Sequence, residues 1–281
     1  MIWTLLLLAC NPSATDSGTD PDVDSEGTEV PAEPTATFTV ATLNVEGQDS
    51  EAATVGEVVV APVRGEALWA LQEVPNTAYV RDLAAIAADD GGSFAYEVGT
   101  TGGFIKLALM WDEAQLDLLE SWEIHTLNIG DTGRAPLVGH FRVVEDGSEL
   151  LVVVNHLWRT EDRYRHEQAT GLNAWALEQE LPAITLGDFN FDWELEGDGR
   201  DQGYDLLTAN NVWEWVVPDE LIMTQCNFSY VSILDFVFTT GEATDWAVRA
   251  EILNPQHSYC RDDETRTDHR AVTADFAIYA D

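Results

Sequence analysis

Six apolar stretches of this chain each run into side chains that are seldom buried alone, and this restricts the fold more than any other feature. Asn44 closes Ala41-Thr42-Leu43, Glu73 closes Leu71-Gln72, and His156 closes Val152-Val153-Val154-Asn155. Asp188 and Asn190 follow Ile184-Thr185-Leu186-Gly187, Asp235 sits inside Ser232-Ile233-Leu234-Asp235-Phe236, and Asp268-His269 precede the apolar run from Ala271. Ionisable groups are rarely enclosed unless they are paired, hydrogen-bonded or bound to a metal. A fold that accepts all six must bring the ends of these stretches to one rim, where the polar groups satisfy each other.

Between these points, strand-like and helix-like patterns alternate. Apolar and β-branched runs predict strands over 37–45, 68–72, 106–111, 136–144, 150–155, 183–186, 233–238 and 271–278. Leu151-Val152-Val153-Val154 is apolar without alternation, as expected of a strand covered on both faces. Val80, Leu83, Ala84 and Ala87 form one helical stripe, and Ala169, Leu172, Trp175 and Ala176 another, predicting helices over 77–89 and 162–180. The class is α/β, with sheets covered by helices. Pattern alone does not choose packed sheets with outer helices over other α/β layouts. Hydrophobic residues make up 45% of the chain, enough for a sizeable core, and no repeat or second linker follows residue 36. Residues 37–281 read as one domain.

The N-terminal segment is of a different kind. Met1 to Cys10 is an apolar run far below the roughly 20 residues that span a bilayer. With Leu7-Leu8-Ala9-Cys10 it resembles a secretory signal ending in a bacterial lipobox, although it lacks a basic start. The resemblance implies a lipid on Cys10 and a protein anchored outside the cytoplasm, on the outer membrane or cell surface. Residues 11–36, rich in acid, Ser, Thr, Gly and Pro, read as an extended tether. The lipid would be the one membrane contact, and the domain is expected to be a monomer. In an exported chain, the remaining cysteines, Cys226 and Cys260, are expected to form a disulfide.

Charge bears on partners. Asp and Glu number 51 against 13 Lys and Arg, and Lys106 is the single lysine. A net charge of −38 repels polyanions, so a nucleic-acid substrate would require metal ions or salt to offset repulsion. The acidity also suits solubility in a salty medium.

The rim residues suggest a metal-assisted chemistry. Asn, Asp and Glu oxygens are hard ligands that suit Mg²⁺, Mn²⁺ or Ca²⁺. No His-x-x-x-His or Cys-x-x-Cys pair points to zinc. Asp188 and Asn190 are two apart, so an extended segment would point both the same way.

Taken in order, Leu-Asn, Leu-Gln-Glu-Val, Asn-His-Leu, Gly-Asp-Phe-Asn, Leu-Asp-Phe-Val and Thr-Asp-His-Arg resemble the endonuclease/exonuclease/phosphatase family. Each motif alone is weak; all six in order, from residue 42 to 270, are a joint signal. The resemblance implies a four-layer α/β sandwich, two packed mixed β-sheets flanked by helices, with the site at one end of the sheets. It also implies a divalent-metal-dependent phosphoesterase, most readily a phosphodiesterase or nuclease; a phospholipid or sugar-phosphate esterase is the alternative within the family. A non-catalytic module reusing the fold is the alternative outside it. By the same resemblance, Asn44, Glu73 and Asp268 bind the metal and Asp188 orients or deprotonates the attacking water. Asn190 then hydrogen-bonds a phosphate oxygen and His156 faces the phosphate or the leaving oxygen, while His269, oriented by Asp235, stabilises developing charge. A glutamate partners the His156 position in deoxyribonucleases, and Glu97 is the candidate here. Arg134, Arg159 and Arg165 are the candidate substrate-binding cations in an otherwise acidic chain, with a plain surface role for Arg134 and pairing with surface carboxylates for Arg159 and Arg165 as the alternatives.

Overall fold

The computed structural model describes residues 33–63, 65–88, 91–130, 133–197, 199–226, 232–253 and 266–280. The expected lipobox with Cys10, nearly all of the tether, and Cys260 lie outside the described residues.

Twelve strands are formed among the described residues: β1 (Ala36–Asn44), β2 (Leu68–Val74), β3 (Phe94–Val98), β4 (Lys106–Asp112), β5 (Leu116–Glu123), β6 (Leu137–Val143), β7 (Glu149–His156), β8 (Ala183–Glu194), β9 (Glu214–Trp215), β10 (Ser232–Thr240), β11 (Ala247–Ile252) and β12 (Val272–Ile278). They make two six-stranded mixed sheets, ordered β11-β12-β1-β2-β4-β3 and β5-β6-β7-β8-β10-β9. In each sheet one parallel pair, β1–β2 or β7–β8, lies at the centre among antiparallel neighbours.

Alternation within the strands explains the layering. Phe38 and Val40 of β1, Leu68 and Ala70 of β2, and Leu107 and Leu109 of β4 point into the core shared with the second sheet. Their neighbours Ala41, Leu43, Trp69, Leu71, Ala108 and Met110 point the other way. There they pack under Val80, Leu83 and Ala84 of helix α2 (Thr77–Ala87), which follows the four-residue α1 (Ala52–Val55). Helix α3 (Asp162–Ala176) presents Ala169, Leu172 and Ala176 to the core on the second sheet's side. The result is the expected sandwich of helices, sheet, sheet and helices.

The strands not anticipated from sequence, β3, β5, β9 and β11, are the four sheet edges. An edge strand is covered less, so its apolar pattern is broken by solvent-facing polar groups, as in Glu120 of β5 and Arg249 of β11. The rim that matters lies at the carboxyl ends of both central parallel pairs, where Asn44, Glu73 and His156 end their strands.

Candidate active site

Registration of the second sheet builds a row of three ionisable residues. His156 pairs with Asp188 across the parallel ladder of β7 and β8, and Asp188 pairs with Asp235 across the antiparallel ladder of β8 and β10. Gly187 makes the approach of β8 to β7 feasible. Its φ is 144°, and a Cβ there would lie 2.0 Å from the Asn155 carbonyl oxygen.

The first sheet closes the row from the opposite side. Asn44 Nδ2 donates to Asp188 Oδ2 at 3.1 Å, and His269 Nδ1 lies 2.8 Å from Asp235 Oδ2. His269 is held by a local turn in which Thr267 Oγ1 donates to the Asn44 carbonyl at 2.5 Å and accepts from His269 N at 3.0 Å. Thus Asn44, Glu73, His156, Asp188, Asn190, Asp268 and His269 line one cavity, with Asp235 buried behind His269. A larger cleft elsewhere, about 500 Å³ and lined by Thr35, Asp146 and Trp246, contains none of these groups.

Backbone strain concentrates here. Glu73 has φ 57° at a register shift between β2 and β4, and Asn190 has φ 53°. Such conformations cost free energy and persist where surrounding structure enforces them. Asn190 therefore does not reach the site by simple strand alternation. It kinks, its N–H donates to Asp188 Oδ1 at 3.0 Å, and its Nδ2 donates to the Leu157 carbonyl at 3.2 Å.

The two imidazoles differ in charge. Burial opposes protonation of His269, but Asp235, Asp188 and Asp268 outweigh it and push its pKa up to about 10. Burial and the positive charges of Arg134, His269 and Arg159 hold His156 well below its ordinary value. His156 is thus neutral where His269 is an imidazolium. Glu97, on edge strand β3, does not line the cavity; the group against the His156 ring is the Arg134 guanidinium, with Nη2 2.7 Å from Nε2. Arg134 Nη2 also lies 4.0 Å from Glu73 Oε1.

Arg159 lines the cavity; Arg165, also a candidate for binding substrate, is not among the residues that line it. The Arg165 guanidinium is buried and donates to the carbonyls of Trp158 and Arg159, both at 2.8 Å. It also contacts Asp162 at 2.7 Å and Asp201 at 2.6 Å. It holds the turn that carries Arg159.

Two polar lining residues were not anticipated. Glu46 lies two residues beyond Asn44, a spacing that keeps it near the same rim, and its Oε2 accepts from Asp268 N at 3.0 Å. Gln225 belongs to a segment with no strand signal, and its Nε2 donates to Asp268 Oδ2 at 2.9 Å. The neighbouring Cys226 is buried, and its N–H donates to the Asp268 carbonyl at 2.6 Å.

The donor set fits a hard divalent cation. Asn44, Glu46, Glu73, Asp268 and Gln225 bring oxygen atoms to one cavity. Burial, then Asp268, pushes the Glu46 pKa up to about 7; burial, then Asp235, does the same to Asp188. A cation relieves such crowding of like charge. The Gln225 Oε1 atom is buried and has no hydrogen-bond partner, an orphan acceptor at the same place. Asp188, Asp235 and His269 also offer ligand atoms within 4.8 Å of one another. There, however, the Asp235–His269 hydrogen bond and the charge on His269 favour an internal ion pair over metal ligation.

A profile of the Endonuclease/Exonuclease/phosphatase family matches residues 41–269. No curated protein matches the chain in sequence. Among solved structures, the fold resembles an endonuclease/exonuclease/phosphatase family protein from Bacteroides thetaiotaomicron, with TM-score 0.65 and 19% identity over 88% of this chain and 96% of that one. It also resembles the mannosyl-6-phosphatase Bt3783 of Bacteroides thetaiotaomicron VPI-5482, with TM-score 0.63 and 18% identity over 86% and 100%. A third is D. rerio TDP2 complexed with a single-strand DNA product, with TM-score 0.66 and 18% identity over 86% and 99%.

Proposed function

Because the chain belongs to the endonuclease/exonuclease/phosphatase family, we propose that it hydrolyses phosphate esters with a divalent cation, by in-line attack of an activated water. The observation that carries this reading is the row His156–Asp188–Asp235 facing His269 and Asn44 across the two sheets.

The residues divide the work as follows. Asp188, with its pKa raised to about 7, accepts a proton from the attacking water near neutral pH. The water oxygen bonds to phosphorus as the bond to the alcohol oxygen breaks. The His269 imidazolium, held by Asp235, stabilises the charge that builds on the phosphoryl oxygens. Asn190 uses one amide hydrogen on the Leu157 carbonyl and offers the other to a phosphate oxygen. Neutral His156 presents a ring N–H to the phosphate or leaving oxygen, and Arg159 meets the phosphate at the mouth. Asn44, Glu73 and Asp268, with Glu46 beside them, hold Mg²⁺, Mn²⁺ or Ca²⁺, which when bound acts as a Lewis acid on the phosphate.

The relatives in fold include one described as a mannosyl-6-phosphatase and one bound to a DNA product, so both small esters and nucleic acids are candidates. The site belongs outside the cytoplasm, on a monomer tethered through residues 11–36 to a lipid on Cys10 and braced by a Cys226–Cys260 disulfide. Purified protein with Mg²⁺, Mn²⁺ or Ca²⁺ should hydrolyse bis(p-nitrophenyl) phosphate, and Asp188→Ala should abolish this. No turnover of any phosphate ester with any of the three ions would end the reading. Cys10→Ala should move the protein from the membrane fraction to the soluble one.

A further inference from the structure

Away from the catalytic rim, and independently of the phosphoesterase reading, we infer that the protein binds a small organic cation, an alkyl- or arylammonium ion, in a cavity on the outer face of the first sheet, with Glu66 as its counter-ion.

Packing fixes the place. A π-helical turn, Gly56–Val60, follows α1 and presses against α2, where a Cβ on Gly56 would lie 2.3 Å from Ile86 Cδ1. Such turns are rare and are frequently found at functional sites. Between this turn, the end of α2 and the sheet, Val60, Val63, Trp69, Ile86 and Phe94 line a cavity of about 260 Å³. Glu66 stands just before β2, and Glu73 lies near the far end of that strand. At about 3.3 Å per residue the two are about 20 Å apart. No described residue that lines the catalytic cavity lines this one.

Glu66 points to the class of ligand. It lines the same cavity and is 6% exposed. Burial raises its pKa, its own N–H opposes that, and Asp275 adds to the rise. Among the described residues, no Lys, Arg or His pairs with it. A carboxylate taken out of water without a counter-ion is costly, and an ammonium group supplies one.

The rest of the lining excludes other classes. Asp112 also lines the cavity, but its Oδ1 accepts from Ala114 N and its Oδ2 from Gln115 Nε2, both at 2.9 Å. A hard divalent ion takes about six or more oxygen ligands, which these apolar walls do not supply. An anion would meet two carboxylates. A neutral apolar ligand would strip water from Glu66 and give it no partner. An amine carrying one ring or a short chain places its ammonium at Glu66 and its apolar body against Trp69 and Phe94. The volume falls just short of the roughly 300–1,000 Å³ of sites for drug-sized ligands, so the ligand is small. A net charge of −38 draws cations to the protein.

The test uses full-length protein at fixed ionic strength, with benzylammonium chloride as the probe and benzyl alcohol as its neutral counterpart. In calorimetry, benzylammonium should bind saturably at one site and at least about 10-fold more tightly than the alcohol. Glu66→Gln should weaken it by about 10–100-fold, the range expected of a hydrogen bond between charged partners. Ala87→Phe, which fills the cavity and leaves the carboxylate in place, should weaken it as much. In wild-type protein, the indole N–H resonance of Trp69 should shift along the same saturation curve. No saturable binding, equal affinity for the alcohol, or a Trp69 resonance that stays still would overturn the inference. So would unchanged affinity in folded Glu66→Gln, which would assign the binding to the acidic surface at large. Phosphate-ester turnover is expected to be the same in Glu66→Gln as in wild type, so either reading can fail without the other.

Discussion

Asp235 and His269 meet at 2.8 Å although they belong to different sheets, Asp235 on β10 and His269 just ahead of β12. With the 3.1 Å contact from Asn44 to Asp188, this hydrogen bond stitches the two sheets together at the catalytic rim. The same contact sets the charge of His269. Its pKa is raised to about 10, so the imidazolium persists at neutral pH and is lost as pH rises through that value. The stability this adds is fully present below the ordinary histidine value near 6.5 and fades as pH climbs towards 10. Asp235→Asn should lower kcat by about 10²–10⁴-fold and move the alkaline limb of the pH profile to lower pH. An unchanged alkaline limb would show that Asp235 does not govern the His269 proton.

Glu46 and Asp188 predict a pH-dependent response to metal. Both carboxyls are raised to about 7, so the folded protein binds more protons than the unfolded chain between about pH 4 and 7. That contribution to stability declines as pH rises through this window. A divalent cation competes with those protons. Added Mn²⁺ should therefore raise the Tm, relative to chelator-treated protein, more at pH 8 than at pH 5. Equal shifts at both values would mean that the cation does not bind beside these groups.

Gln225 offers a buried, unpartnered Oε1 while its Nε2 orients Asp268. Groups that orient metal ligands typically contribute about 10–100-fold in metal affinity. Gln225→Ala should weaken Mn²⁺ binding by about that factor in calorimetry, with the Tm of the metal-free protein little changed. Retained affinity would place Gln225 outside the metal centre.

Gly187 has no room for a side chain, since its φ is 144° and the Asn155 carbonyl is close by. Gly187→Ala should separate β8 from β7 at the His156–Asp188 pair. The expected loss is on the order of 3 kcal/mol or more, as for a strained backbone position with a backbone clash. In a domain of this size that is about 6–12 °C in Tm, with loss of activity. A variant with wild-type Tm and turnover would contradict the packing argument.

Much of the site could be read from the chain because its chemistry is local in kind. Asn44, Glu73, His156, Asp188, Asp235 and Asp268-His269 stand out as polar residues where apolar strands end, and such residues are rarely buried without purpose. Glu46 was within reach of the same logic, two residues past Asn44. Gln225 was not, because a neutral amide in a segment without periodicity carries no signal until Asp268 is placed against it. Arg165 lies in a basic cluster that the chain leaves open between substrate and carboxylate partners, and its partner Asp201 is met only through tertiary folding.

The amino-acid sequence by itself determined the strand cores, the two main helices and the polar residues at the strand ends, because hydrophobic periodicity and the cost of burying charge act residue by residue. Tertiary structure decided the edge strands, the opposite charge states of His156 and His269, and the structural duty of Arg165. Those depend on burial and on the field of neighbours far apart in the chain, such as Arg134 beside His156 and Asp235 beside His269.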